Sequence, residues 1–273
     1  MRKGVDWKIF LEDQSGKGGN NMVTDNDKYI LSSVDNALTV LNLFFVHEEL
    51  TATEIAKILG TNRSSIFRFL VTLENRGYLT KDEHSRYRLG IKLFTLGQLA
   101  KSRMELNRLI HPYLEYLSEK TGETAHLVIT EGVMAVFTDK VVGNAALKMD
   151  TPLGASYAAH VTGGGKAILA FMDDDYVSTY KRDADFTKLT TNSISSADEL
   201  DDVLRTVRAN GYAMDAEEAE IGLTCIAVPV IDEQGKAIAA ISVSGPTTRI
   251  LAAKDNTLAL MKQTSALITE KLK

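Results

Sequence analysis

TATEIAKILGTNRSSIFRFLVTLENRGYLTKDEHSRYRLG, residues 51–90, is the stretch that decides the fold. Thr51 with Glu54 three residues later is a capping-box signature, opening a helix that Gly60 closes. A second helix starts near Thr61 and Asn62, turns Ile66, Phe69, Leu70 and Leu73 inward, and ends at Gly77. Residues 78–81 and 86–89 then alternate with period two about residues 82–85, the pattern of a β-hairpin. Upstream, Val34, Leu38, Leu41 and Phe45 fall at helical spacing and predict one buried stripe. Three helices and a hairpin make a winged helix-turn-helix over residues 30–90.

The formal net charge of the chain is −5, which argues against a nucleic-acid partner until its distribution is read. Residues 57–92 hold eight Lys or Arg against three Asp or Glu, a local +5, while Asp173-Asp174-Asp175 and Glu217-Glu218 are acidic. A basic module on an acidic body directs DNA to one face. In a helix-turn-helix the second helix enters the major groove. Its face opposite the apolar stripe presents Arg63, Ser64, Ser65, Arg68 and Thr72. The arginines can pair with guanine or phosphate, and small hydroxyls let the helix seat deeply. Arg86 and Arg88 on the wing would hold the flanking backbone. The same residues also suit an ordinary charged surface on a protein-interaction winged helix.

Residues 91–121 read as helical, with a break expected at His111-Pro112, so residues 91–110 are taken as a linker helix and 111–273 as a second domain. That domain alternates strands and helices, which makes the whole chain α+β. Strands are expected over 124–130 and 135–141, and over 223–231 and 237–244, with helices over 162–172, 196–210 and 252–272. The leader, residues 1–29, is polar and glycine-rich and is expected to be disordered. Lys17-Gly18-Gly19 can encode a purine-rich ribosome-binding sequence, so translation is expected to start at Met22. One cysteine excludes an internal disulfide framework. With no apolar run long enough for a membrane and no signal-peptide pattern, a cytoplasmic protein is expected.

On residues 223–231, Ile226, Val228 and Val230 share one face, and Cys225 and Ala227 the other. On 237–244, Ile241 and Val243 oppose Ala240, Ser242 and Ser244. The bulky face suits a core. The small, weakly polar face suits either a ligand or a closely packed helix. Thr162-Gly163-Gly164-Gly165 at a helix start favours an anion, such as a carboxylate, or simply a tight turn. Asp215 is either a ligand acceptor or a cap. The histidines, His47, His84, His111, His126 and His160, show no metal-ligand spacing, so neither a metal nor a cofactor is expected.

Several ordered motifs resemble the IclR family of bacterial regulators. They are Ser33-Val34-Asp35-Asn36-Ala37-Leu38, Leu59-Gly60-Thr61-Asn62-Arg63-Ser64-Ser65, Tyr87-Arg88-Leu89-Gly90 and Pro152-Leu153-Gly154. Residues 160–167, Gly211-Tyr212-Ala213 with Glu217-Glu218, and residues 242–246 with Arg249 continue the match over roughly 30–270. The resemblance implies a GAF-like effector-binding domain, double-stranded operator DNA and a small-molecule effector as partners, and a homodimer or dimer of dimers. It implies an effector cavity lined by Met149, Gly163, Gly164, Asp215, Cys225, Ser242 and Ser244, with Tyr157 and His160 close by. Two other readings remain: an enzyme with a Cys225, His160, Asp215 nucleophilic triad, and an adaptor whose winged helix binds no DNA.

Overall fold

A computed structural model describes residues 29–272. The expectations on the leader and on translation from Met22 fall outside the described residues. The chain divides into two compact units between Ala100 and Lys101.

In the first unit, α1 (Ser32–Asn42) and a 3-10 turn (Leu43–Phe45) precede β1 (Leu50–Thr51), α2 (Ala52–Ile58) and α3 (Arg63–Asn75). The wing is β2 (Leu79–Lys81) and β3 (Arg86–Leu89), and β1 joins it on the other edge of β3. Thr51 and Glu54 form the expected reciprocal capping box, and Asn62 caps α3 by accepting from Ser65 N–H. Gly60 and Gly77 end the two helices with φ of +61° and +78°, where a Cβ would be strained. Ile66, Leu70 and Leu73 are buried in the core with Ile55 and Tyr87.

Of the stripe expected on α1, only Leu41 packs against the core. Val40, Leu43 and Phe44 enter the core, whereas Val34 and Leu38 are more than half exposed and Phe45 is 45% exposed. Helical spacing finds an apolar face but cannot say which of two faces a single chain covers. The helix α4 (Ile91–Ser102) that follows buries no residue, and Ile91, Phe94 and Leu96 are exposed on it.

The break expected at Pro112 also lies elsewhere. Helix α4 ends at Ser102 and α5 (Glu105–Thr121) passes through Pro112 unbroken. A proline in a helix costs about 3 kcal/mol through its missing N–H and its ring clash. Complete burial of Ile110, Leu114 and Leu117 against the sheet outweighs that. The segment expected as a linker helix over 91–110 is therefore the whole of α4 and the first turns of α5.

The second unit is built on a six-stranded antiparallel sheet in the order β6-β5-β4-β9-β8-β7. Its strands are β4 (Thr124–Glu131), β5 (Met134–Val141), β6 (Ser156–Ala158), β7 (Ala213–Ala216), β8 (Leu223–Ile231) and β9 (Ala237–Pro246). The bulky face, with Ile226, Val228, Ile241 and Val243, packs under α5 and α10 (Lys254–Lys271), with α9 (Thr247–Ala252) between β9 and α10. The small-residue face packs under α6 (Gly163–Leu169), α7 (Asp174–Asp183) and α8 (Ala197–Asn210).

Candidate DNA interface and effector site

On α3, Arg63, Ser64, Arg68 and Thr72 are exposed as expected, and Ser65 is half-buried. The Ser64 hydroxyl donates to Asn62 Oδ1 at 2.7 Å and that of Thr72 to the Arg68 carbonyl at 2.8 Å. Their protons are spent locally, and their oxygens remain as acceptors. Among the described residues Arg63 and Arg68 enter no ion pair. Phe67, 51% exposed, stands one turn beyond Ser64 on the same face. Sequence reasoning passed over Phe67, because it stands beside the buried Ile66 and helical spacing alone does not mark which of two adjacent apolar residues faces solvent.

The wing departs from expectation. Arg88 Nε donates to Glu49 at 2.9 Å and a second arm of the guanidinium joins the same carboxylate. Arg86 lies 3.1 Å from the other oxygen of Glu49. The hydrogen bond and charge of Glu49 raise the Arg88 pKa further. In the DNA-free domain the two wing arginines share the Glu49 carboxylate, with Glu54 a further 3.9 Å contact of Arg86, so a phosphate contact draws them away from these partners.

In the second unit the expected site residues converge on the small-residue face. Asp215 of β7 pairs with Cys225 of β8, Cys225 pairs with Ser244 of β9, and Ser242 pairs with Ala227. Gly163 lies directly over them: a Cβ there would stand 3.2 Å from Cys225 Sγ and 3.3 Å from Asp215 N. A Cβ on Gly164 would meet Val128 at 2.8 Å. Both glycines thus permit close packing of α6 on the sheet. Met149 is tied in through its carbonyl, which accepts from Thr124 Oγ1 at 2.6 Å, and Thr124 is the β4 neighbour of Ser244.

Asp215 Oδ1 accepts from Glu218 N–H at 2.7 Å, which organises the turn after β7. It caps a turn rather than a helix. Burial pushes its carboxyl up to about 6. Beneath that turn the buried Lys166 ammonium is ion-paired with Glu218. Burial, and then the Asp215 charge, pushes the Cys225 thiol up to about 12, although the residue as a whole keeps some exposed surface. The sulfur itself is what the helix covers. His160 is held by Tyr180, whose hydroxyl lies 2.7 Å from Nδ1, and its ring lies against Phe186. A protonated thiol and a histidine committed to tyrosine do not make a nucleophilic triad. Tyr157 packs its ring edge against Phe137 and feels the charges of Glu220 and Asp215, at the rim of this face.

One residue that sequence reasoning left out belongs here. His126 of β4 lies on the same face, fully buried, paired with Ser242 across the sheet. Its Nδ1 is 3.3 Å from Ser244 Oγ and its ring stands edge-on to Phe137. Burial, with Lys140 adding to it, drives its pKa down to about 3. The alternation of β4 carried the signal, but only the β4–β9 pairing puts His126 beside the serines.

A winged helix joined to a two-faced sheet with a buried polar floor defines a DNA-binding regulator with an effector domain. The IclR helix-turn-helix model matches residues 33–83, and the model of the bacterial transcriptional regulator IclR C-terminal domain matches residues 98–270. The chain belongs to the IclR family. It is 33% identical over 223 residues to the Escherichia coli regulator XynR, covering 81% of this chain and 88% of that protein. It is 30% identical to the E. coli transcriptional repressor IclR, over 72% of this chain and 73% of that one. Among solved structures, an Alicyclobacillus acidocaldarius IclR regulator superposes with a TM-score of 0.78 at 27% identity, covering 90% of this chain and all of that one. An IclR homologue from Microbacterium hydrocarbonoxydans, solved with 4-hydroxybenzoate, shares the fold at 20% identity, with a TM-score of 0.75 over 88% of this chain and 98% of that one. No described helix is long and apolar enough to cross a membrane.

Proposed function

We propose that this chain is a cytoplasmic repressor that grips palindromic operator DNA as a homodimer or dimer of dimers. A small carboxylate effector, bound across Met149, Gly163, Gly164, Asp215, Cys225, Ser242 and Ser244, sets that grip. The observation that carries this reading is the meeting of Asp215, Cys225, Ser242 and Ser244 from three strands on one covered face of the sheet. The Cys225 thiol stays protonated and Asp215 is tied into the turn by the Glu218 N–H, so the face suits recognition. A carboxylate is favoured because a chain of the same fold holds 4-hydroxybenzoate. Repression is favoured by the naming of relatives, such as the acetate operon repressor of Salmonella typhimurium.

Reading falls to α3, with Arg63, Ser64, Ser65, Arg68 and Thr72 at the groove, and Arg86 and Arg88 on the wing turning to phosphates. Assembly follows from two exposed apolar faces, Val34 and Leu38 on α1 and Ile91, Phe94 and Leu96 on α4. One winged helix reads only a half-site, so specificity needs a symmetric pair. The test is footprinting of duplex DNA from upstream of the chain's own gene, over a salt series, with sedimentation of the protein alone. A protected palindrome bound by a dimer or tetramer is expected. A single half-site bound by monomers, or no retardation at low salt, rejects the reading.

A further inference from the structure

Helix α3 leaves one large apolar side chain in water. Phe67 is 51% exposed, and every other exposed position on that helix is polar: Arg63, Ser64, Arg68, Thr72 and Asn75. Phe69, on the opposite flank of the buried stripe, packs against the core of the unit, and Phe67 does not. A lone exposed phenylalanine is ordinary on a protein surface. The surroundings of this one are not ordinary. Arg63 precedes it by one turn and Arg68 adjoins it, and neither enters an ion pair among the described residues. An apolar ring between two uncompensated cations fits a polyanion that also carries an apolar group. In the major groove of DNA that group is the 5-methyl of thymine, the one apolar substituent on any base edge there. Against a guanine or cytosine edge the ring would cover polar atoms without bonding them, and polar atoms buried unpaired are costly.

We propose that Phe67 reads the 5-methyl group of a thymine in each operator half-site, one or two base pairs from the base that Arg63 meets. This rests on the reading of α3 as the helix that enters the groove. The spacing follows from geometry. Side chains at i and i+4 leave a helix about 6 Å apart, and bases along one strand are about 3.4 Å apart. Phe67 therefore selects a thymine twice over, by contact with its methyl and by exclusion of the polar edges that other bases would place there. The arginines do not supply this selection, since a guanidinium pairs with guanine or with any phosphate. A thymine without its methyl keeps all its hydrogen bonds and loses what Phe67 recognises.

The test uses full-length protein and the duplex upstream of the chain's own gene, amplified with thymidine or with deoxyuridine triphosphate. The second duplex lacks every thymine methyl and keeps every hydrogen-bonding edge. Affinities come from retardation at fixed salt, with an unrelated duplex of equal length in both forms as the non-specific reference. Loss of one buried methyl is worth about fourfold in affinity per half-site, and about fifteenfold for a symmetric pair. Wild type is expected to show a penalty of that order on the uracil form of the upstream duplex, and none on the unrelated one. Phe67→Ala, a change at an exposed position with little effect on folding, should bind both forms of the upstream duplex alike. Single uracil replacements in a synthetic operator then locate the methyl, expected within two base pairs of the position where Arg63→Ala loses base preference. A uracil penalty as large in Phe67→Ala as in wild type assigns it to the shape of the duplex and overturns the proposal. So does wild type that retards both forms equally, which leaves the regulator reading standing. Altered sedimentation of Phe67→Ala with its thymine preference intact would make Phe67 a contact between copies, again overturning the proposal. Wild type that retards neither form rejects the regulator reading and the proposal with it.

Discussion

Arg63 and Arg68 carry no ion pair among the described residues, whereas Arg86 and Arg88 share Glu49. An unpaired guanidinium on the exposed face of α3 is the group best placed for a base edge, and a bidentate contact is worth about 1–3 kcal/mol. Arg68→Ala should weaken operator binding by about that amount and leave effector binding unchanged; equal operator affinity at matched salt would remove Arg68 from the reading surface. Phe67 on the same face suits a thymine methyl. Phe67→Ala should therefore lower the ratio of specific to non-specific affinity more than it lowers non-specific affinity. The wing follows a different rule. Glu49→Gln frees Arg88 and leaves Arg86 only its longer contact with Glu54, and each new phosphate contact steepens the dependence of log K on log salt by about 0.9. Affinity should rise for any duplex, operator or not. A slope unchanged by Glu49→Gln would mean that the wing does not touch DNA.

Elements whose identity is set by neighbours in sequence were legible. Thr51 with Glu54, Asn62, Gly60 and Gly77 state the limits of α2 and α3 through their own hydrogen bonds and φ angles. Strands β4, β5, β8 and β9 showed in their alternation. What escaped was set by distant partners: β6 and β7 are three and four residues long and exist through pairing with β5 and β8, and α7 is a polar helix that buries Val177 and Tyr180 and packs Tyr176 against the core. Most of the polar floor proposed as the effector site was legible through family motifs, but His126 needed the β4–β9 register. The Lys166–Glu218 pair is another product of long-range packing, 52 residues apart. It pins α6 to the turn that Asp215 organises. Removing one partner of a buried ion pair costs about 3–5 kcal/mol, since the other charge is left uncompensated. Lys166→Met should lower stability by that amount in urea, and Lys166→Met with Glu218→Leu should recover much of it. A single variant as stable as wild type would show that the pair is wet.

For the molecule as a whole, an acidic body with a basic module implies that pH acts on the effector unit more than on DNA contacts. Burial holds His126 down at about 3 and His160 at about 4, against an ordinary 6.5. The unfolded chain accepts protons that the native state refuses. Their contribution to stability is therefore complete above pH 6.5 and is lost as pH falls towards those lowered values. Asp215, raised to about 6 from 3.8, has the opposite sign: its native carboxyl keeps a proton, so stability from it is full below 3.8 and lost as pH rises through 6. At one pKa unit per 1.36 kcal/mol, lowering pH from 6.5 to 5 costs about 2 kcal/mol per histidine, and Asp215 returns about 1. The net loss is about 3 kcal/mol, large beside the total stability of a domain. Urea midpoints of the full chain should fall steeply between pH 7 and 5, and His126→Phe should remove roughly half of the histidine part of that slope. Because His126 lies beside Ser242 and Ser244 on the covered face of the sheet, acid should also weaken effector binding, if that face is the effector site, before the wing loses DNA. A flat midpoint over this range would mean that both imidazoles reach water in the native state.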